Sequence, residues 1–223
     1  MRLLPYIVTA VLLGAGIRSI PAQSQEVAVR DGNILLSDPG GGQRQLTSFG
    51  RDGEPRLSPD KKWVVFVRRG SGSQISDPMG NAVDPNEIWV MGADGQHART
   101  LVRSEGCNRG EECLPNLTRP QFAEDGNGIF FEAKCAVVTS CIYRLDLRTG
   151  VRKELGGGSF LHVIHDGTQH GNLLVIKHKY FMCGGSYDWW WVLKPNGAEV
   201  GAIGPAGGEP SEDTMQSVIR DCP

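Results

Sequence analysis

Few residues in this chain have the type and spacing that catalysis requires. The segment GGSYD at 184–188 contains the first glycine and the serine of the Gly-x-Ser-x-Gly turn that presents the nucleophile of many hydrolases. Asp188 takes the place of the last glycine, and the sequence offers no α/β domain to hold Ser186 on a strand-to-helix turn. We therefore assign no catalytic residue.

Histidines and loop carboxylates are the side chains that could bind a metal ion, and they are His162, His165, His170, His178, Asp77, Asp84 and Glu87. The first two histidines would point to opposite faces of a strand, and the other two belong to different elements. The carboxylates lack the Asp-x-Asp-x-Asp-Gly pattern of a calcium loop. We expect no metal and no cofactor, and we interpret these groups as solvated polar side chains.

The six cysteines are better explained as disulfides than as metal ligands. An even number of cysteines is typical of exported proteins, and neither close pair has the Cys-x2-Cys spacing of a zinc site. The sequence leaves other pairings open. The spacing suggests three pairs: Cys107 with Cys113, Cys135 with Cys141, and Cys183 with Cys222.

Residues 1–22 have the pattern of a secretory signal peptide. Arg2 precedes an apolar run over 3–17, and small residues follow up to a cleavage site after Ala22. The run is short for a membrane span, and a retained anchor is the alternative. Cleavage would also remove Arg18 and change the formal net charge from −2 to −4. We predict a periplasmic or secreted protein with no nucleic-acid partner and no stable membrane span after cleavage.

Internal repeats indicate the architecture. Segments that begin at 34, 88, 142 and 190 each contain a short strand, a turn with glycine and a second short strand. Their starts are 54, 54 and 48 residues apart. This regular spacing indicates one supersecondary unit that is used four times.

A second pattern supplies the other half of each unit. The segment EPRLSPDKKWVVFVRR at 54–69 recurs at 119–134 and, more loosely, at 160–179. Each copy contains a strand, a tight turn and a long apolar strand, and Ser58 and Pro59 suit the first positions of such a turn. The complete unit is therefore four antiparallel strands.

Four-stranded units repeated radially form a β-propeller, in which each blade packs both faces against neighbouring blades. A strand that is covered on both faces need not alternate polar and apolar residues. This accounts for WVVFV at 63–67 and for the three successive tryptophans at 189–191. We predict an all-β fold, a small β-propeller of about four four-stranded antiparallel blades over 23–223.

Residues 54–101 resemble the TolB-like family of propeller repeats, and the resemblance weakens toward the C-terminus. The family pattern is matched by Pro55, Leu57, Ser58, Pro59, Asp60 and Lys62, and then by Ile88, Trp89, Val90, Met91, Asp94 and Gly95. Lys61 stands where the family usually has glycine, and if the position needs a positive φ, the lysine costs on the order of 1 kcal/mol, which a packed blade can absorb. The resemblance implies the propeller fold and a tendency to bind proteins.

The first blade is expected to lack its innermost strand. The N-terminal part supplies only three strands, roughly 26–30, 33–37 and 43–46, so the missing strand should come from the tail near 215–219. Closing the ring in this way would remove exposed sheet edges. A tail strand there would place Cys222 far from Cys183, so this closure and that disulfide exclude one another.

Loop lengths predict a binding face. The tight turns fall at one end of the strands, whereas the long segments 70–86, 104–117, 135–141, 182–188 and 204–213 fall at the other end, here called the long-loop face. Long loops on a rigid scaffold are where recognition usually occurs. The candidate binding residues on this face are Asp77, Met79, Asp84, Arg109, Tyr187 and Asp188.

The sequence thus favours an exported, non-enzymatic binding module whose partner is another extracytoplasmic protein. A propeller enzyme, a lyase or hydrolase with its site at the central channel, is the first alternative. An inhibitor or immunity-type binder is the second. Converging histidines, arginines and carboxylates at the channel mouth would favour the enzyme, and a flat apolar rim with Tyr187 exposed would favour binding.

Overall fold

The computed structural model describes residues 24–107, 113–135, 140–180 and 186–207. The proposed signal peptide, Arg109, Cys183, Cys222 and the tail at 215–219 lie outside this part of the chain. The regular secondary structure of the described residues is β-strand, apart from one 3-10 turn at Gly167–Gln169.

The strands form four antiparallel sheets in chain order, which we call blades 1 to 4. Blade 1 contains β1 (Glu26–Arg30), β2 (Asn33–Ser37) and β3 (Gln43–Gln45). Blade 2 contains β4 (Asp52–Leu57), β5 (Trp63–Arg69), β8 (Asn86–Gly92) and β9 (Arg99–Arg103), with a small hairpin of β6 (Ile75–Ser76) and β7 (Ala82–Val83) in its long loop. Blade 3 contains β10 (Thr118–Phe122), β11 (Gly128–Lys134), β12 (Ser140–Asp146) and β13 (Arg152–Gly157). Blade 4 contains β14 (Ser159–Val163), β15 (Leu173–Tyr180), β16 (Ser186–Leu193) and β17 (Glu199–Pro205).

The Ser-Pro-Asp turn joins β4 to β5 as the sequence predicts. The Ser58 hydroxyl donates to Asp60 at 2.6 Å and accepts from the backbone N–H of Trp63 at 3.0 Å. Lys61 has φ +59°, so the position where the family usually has glycine does adopt the left-handed conformation in this chain. The corresponding turn of blade 3 uses Gly126, with φ +68°. A side chain at Lys61 is tolerated because the surrounding turn hydrogen bonds hold the backbone in place.

Apolar clusters between successive blades confirm the propeller packing. Val64 and Phe66 of β5 pack toward blade 1, whereas Val65 of the same strand packs toward blade 3. A third cluster joins blades 3 and 4 and includes Phe130 and Val175. Strand β5 is thus covered on both faces, which is why its sequence is a continuous apolar run.

Blade 1 has three strands in the described part of the chain, and the strand order identifies them. Strand β3 leads through the short connection 46–51 directly into β4, the inner strand of blade 2. In a propeller the outermost strand of a blade leads to the inner strand of the next blade, so β3 is the outermost strand of blade 1. The strand that blade 1 lacks among the described residues is therefore its innermost one. That agrees with the sequence-based expectation, and the assignment of 215–219 to this position stays a prediction.

Candidate functional site

The long-loop face of blade 2 is organised around Asp77. This residue is only 2% exposed, and its carboxylate accepts the backbone N–H groups of Met79 and Asn81, both at 2.9 Å. Lys134 of β11 donates to the same carboxylate at 2.7 Å and so ties the loop to blade 3. These bonds, led by that of Lys134, hold the pKa of Asp77 well below its usual range. Asp77 was predicted as a surface contact, but it is buried here and shapes the loop.

The low pKa of Asp77 predicts an acid-sensitive loop. A carboxyl group whose pKa is depressed in the folded chain stabilises the fold above its ordinary pKa of 3.8, and this stabilisation is lost as the pH falls through the lower folded value. Asp77→Asn should therefore lower the urea midpoint at pH 7, and the difference from the native chain should shrink in acid. Asp84→Asn, an exposed change in the same loop, is the control and should shift the midpoint little. An unchanged midpoint for Asp77→Asn at pH 7 would contradict this role.

Two disulfides reinforce the same face and confirm two of the predicted pairs. Cys107 pairs with Cys113, and Cys135 pairs with Cys141. The backbone N–H of Cys107 also donates to the carbonyl of Ser76 in the small hairpin at 2.8 Å. At Cys107, the connection between blades 2 and 3 is therefore bonded to the long loop of blade 2.

The other predicted contact residues are divided between two blades. Met79 is 52% exposed, and Asp84, also exposed, accepts from the Gln74 side chain at 3.1 Å. On blade 4, exposed Asp188 lies 2.8 Å from Nδ1 of His178. Tyr187 is half-buried with its ring 6.0 Å from that of Trp189, so it does not form the exposed apolar rim considered above. Arg109 lies outside the described residues.

A row of charges crosses blade 2 near its long-loop end, and it was not anticipated from the sequence. Its members lie directly opposite one another on the four strands, in the order Asp52, Arg68, Glu87 and Arg103. Arg68 bonds Asp52 through two contacts, at 2.6 and 2.9 Å, and Arg103 lies 3.1 Å from Glu87. Opposite charges facing each other across strands stabilise the sheet.

The Arg68 guanidinium is also enclosed by aromatic rings. It lies 4.1 Å from the ring centre of Phe49, which comes from the connection between blades 1 and 2, and 4.4 Å from that of Trp89. Such cation–π contacts are strongest where water is excluded. Through its contact with Phe49, Arg68 therefore holds the connection between blades 1 and 2 against blade 2.

The inner strands β4, β10 and β14 lie next to one another, with β10 in contact with the other two, on what is here called the channel side. They share a repeated irregularity. Each inner strand has a β-bulge whose residue has a positive φ: +51° at Glu54, +52° at Arg119 and +57° at Phe160. Non-glycine residues in this conformation cost free energy and cluster at functional sites. Because the bulges occupy equivalent positions of three blades, they bring these side chains to the same end of the channel.

These residues surround a polar cavity of about 490 Å³ at the long-loop end of the channel. The backbone N–H of Arg119 donates to Glu54 at 2.5 Å, and its guanidinium lies 4.6 Å from the Phe160 ring. Glu132 is buried, 3.4 Å from Nε of Arg119, and accepts the backbone N–H of Leu161 at 2.7 Å. Burial raises the pKa of Glu132, against the opposing effects of that N–H and of Arg119.

The histidines are arranged differently from the sequence-based expectation. His165 and His170, assigned to separate elements, both contact Glu124, at 2.9 and 3.2 Å. The ring of His162 lies 5.9 Å from that of His165, and burial lowers the pKa of His162. The 3-10 turn at Gly167–Gln169 and the loop around it bring His165 and His170 to Glu124. Within the described ranges, no three histidine, cysteine or acidic side chains form a group suited to a metal.

Ser186 begins strand β16, so it lies in extended structure and not on a strand-to-helix turn. Across the residues described here, no helix has the length and apolar character needed to cross a lipid bilayer.

Comparison with known proteins supports the fold. No protein-family model and no curated protein matches the chain. Among solved structures, TolB from Acinetobacter baumannii superimposes with a TM-score of 0.56 and 20% identity, over 84% of this chain and 42% of that one. The β-propeller domain of the Trilobed protease from Pyrococcus furiosus gives 0.53 and 14%, over 82% and 57%. An oligogalacturonate lyase in complex with manganese gives 0.50 and 17%, over 82% and 45%.

These three structures share the propeller fold with this chain at low sequence identity, so they show the fold alone. The chain spans less than half the length of that TolB and a little over half the length of the propeller domain of the Trilobed protease. The structure is therefore TolB-like in fold.

Proposed function

We propose that this protein is an exported binding module that holds another extracytoplasmic protein on its long-loop face. The observation that carries the proposal is the construction of this face. The long loop of blade 2 is held by the Asp77–Lys134 ion pair and by the hydrogen bond from Cys107 to Ser76, and the disulfides Cys107–Cys113 and Cys135–Cys141 each close one neighbouring segment. A loop held by such bonds, as the long loop of blade 2 is, loses little conformational entropy on binding, which favours affinity.

Two further features support this proposal. Disulfides persist in oxidising compartments, which agrees with export. The long loop of blade 2 also presents Met79, a flexible and polarisable side chain that adapts well to protein surfaces, with half of its area exposed. A recognition surface needs such exposed apolar contacts on a rigid support.

The channel cavity supports a second candidate function, a small-ligand or catalytic site. Glu132 is a buried carboxyl group with a raised pKa beside Arg119, and perturbed carboxyl groups in cavities are frequent in active sites. This arrangement partly meets the criterion that favours a propeller enzyme, since arginine and carboxylates converge at the channel mouth. The Arg119–Glu132 contact also joins neighbouring strands of one blade, which is a sufficient structural role.

Site-specific photo-crosslinking in cells that produce the protein tests the first candidate. A photoreactive phenylalanine analogue at Met79 is expected to give a discrete covalent adduct with a second protein. The matched control is the same analogue at Val151, an apolar residue that is 63% exposed at the opposite end of the strands. No adduct, or equal adducts at both positions, would contradict binding at the long-loop face.

The same assay separates the two candidates. Glu132→Gln keeps the shape of the side chain and an acceptor for Leu161 but removes the carboxylate from the channel cavity. If the long-loop face alone holds the partner, the adduct at Met79 is unchanged in this variant. Loss of the adduct in a folded Glu132→Gln chain would move the binding site to the channel.

A further inference from the structure

A second cavity, of about 500 Å³, lies at the long-loop end of blade 2 and is separate from the channel. We propose that this cavity, here called the arginine groove, binds carboxylate side chains of an acidic segment in the partner protein. The inference rests on the proposed function and specifies the chemistry of the partner. The groove is lined by, among others, Phe49, Arg51, Arg69, Gly70, Gly72 and Arg103.

Two arginines of the groove face each other without a counter-ion. The backbone N–H of Arg69 donates to the carbonyl of Arg51 at 2.9 Å, which continues the register that pairs Asp52 with Arg68. Both arginines are exposed, and no carboxylate of the described residues forms an ion pair with either. Like charges directly opposite each other on neighbouring strands destabilise a sheet.

The other charges of the groove are already paired. Arg68 is bonded to Asp52, and Arg103 is bonded to Glu87, which also accepts the indole N–H of Trp89 at 2.7 Å. Two positive charges therefore remain in a chain whose formal net charge is −2. This local excess of the opposite sign is complementary to an acidic ligand.

The geometry points to carboxylates with an apolar neighbour. A guanidinium binds a carboxylate through two parallel hydrogen bonds, so two unpaired arginines at opposed backbone positions can each bind one acidic residue. Phe49 is 60% exposed and has its ring against Arg68. Phe49 also lines the groove, so an aliphatic side chain of the acidic segment would pack on it.

Fluorescence anisotropy with a labelled peptide of repeated Glu-Glu-Leu triplets tests this assignment. The native protein is expected to bind the peptide saturably, and with lower affinity as the salt concentration rises. It is expected not to bind the matching Gln-Gln-Leu peptide. The double change Arg51→Gln and Arg69→Gln should weaken binding by about tenfold or more. Removing two facing like charges should not lower the melting temperature, so this variant is expected to fold.

Arg152→Gln is the matched control, because Arg152 is exposed at the opposite end of blade 3. It should bind the acidic peptide as the native protein does. Equal affinity for the acidic and neutral peptides, or unchanged binding by the double variant, would overturn the proposal. The photo-crosslink at Met79 distinguishes the failure of this proposal from the failure of the binding-module proposal. If the crosslink forms while the acidic peptide does not bind, the assignment of the arginine groove is wrong and the binding-module proposal stands.

Discussion

Arg68→Met is expected to lower the free energy of unfolding by about 3–5 kcal/mol, which is the typical cost of leaving one member of a buried ion pair without its partner. Asp52 has no exposed side-chain area, and both of its oxygens are bonded to the Arg68 guanidinium. The methionine would keep the apolar contacts with Phe49 and Trp89 but would leave the carboxylate buried and unpaired. Urea denaturation at pH 7 measures the difference.

Two comparisons test the physical reason for that loss. Combining Asp52→Asn with Arg68→Met removes both charges, and it should recover a large part of the stability lost in the single variant. Arg103→Met breaks the other pair of the same charge row, but the Arg103 side chain is 74% exposed, so it should cost less than about 1 kcal/mol. Equal losses for Arg68→Met and Arg103→Met would show that burial is not what makes the first pair important.

Gln121→Glu is expected to lower the free energy of unfolding by about 2–4 kcal/mol at pH 7, although the two side chains have nearly the same shape. The buried Gln121 amide joins the inner strands of blades 3 and 4. Its Nε2 donates to the Leu161 carbonyl at 2.6 Å, and its Oε1 accepts the backbone N–H of Val163 at 2.9 Å. A carboxylate cannot donate, so it would leave the Leu161 carbonyl facing a buried negative charge.

The pH dependence of this variant gives a second test. A protonated glutamic acid can donate to Leu161, so the loss should shrink as the pH falls below the raised pKa expected for the new carboxyl group. The exposed change Gln96→Glu in the turn after β8 controls for the added charge and should leave stability nearly unchanged. If the loss in Gln121→Glu were the same at every pH, the missing donor would not be its cause.

Local patterns account for most of what could be predicted about this fold. Turn residues and apolar runs act over a few neighbouring residues, so the strand pair joined by the turn at Ser58 and Pro59 was predictable. Close cysteines such as Cys107 and Cys113 are joined by a short loop, and their pairing needs little knowledge of the fold.

Residues that act across blades could not be assigned in the same way. Asp77 looked like a solvated loop carboxylate because its partner Lys134 is 57 positions away. His165 and His170 looked unrelated because neither adjoins Glu124 in sequence. Repeats could have supplied one signal that was missed: Glu54, Arg119 and Phe160 occupy equivalent places in three copies of the unit, and all three adopt a positive φ.

The sequence alone was sufficient to determine the repeated four-stranded unit, the all-β propeller class and the division into a tight-turn end and a long-loop end, because strand period, turn chemistry and loop length are local properties. Only the tertiary structure decided which polar residues meet. The Asp52–Arg68 pair, the Gln121 bridge between inner strands and the facing arginines Arg51 and Arg69 all depend on strand register and on blade packing. Register and packing are set by many weak contacts between distant segments, and no short stretch of sequence contains that information.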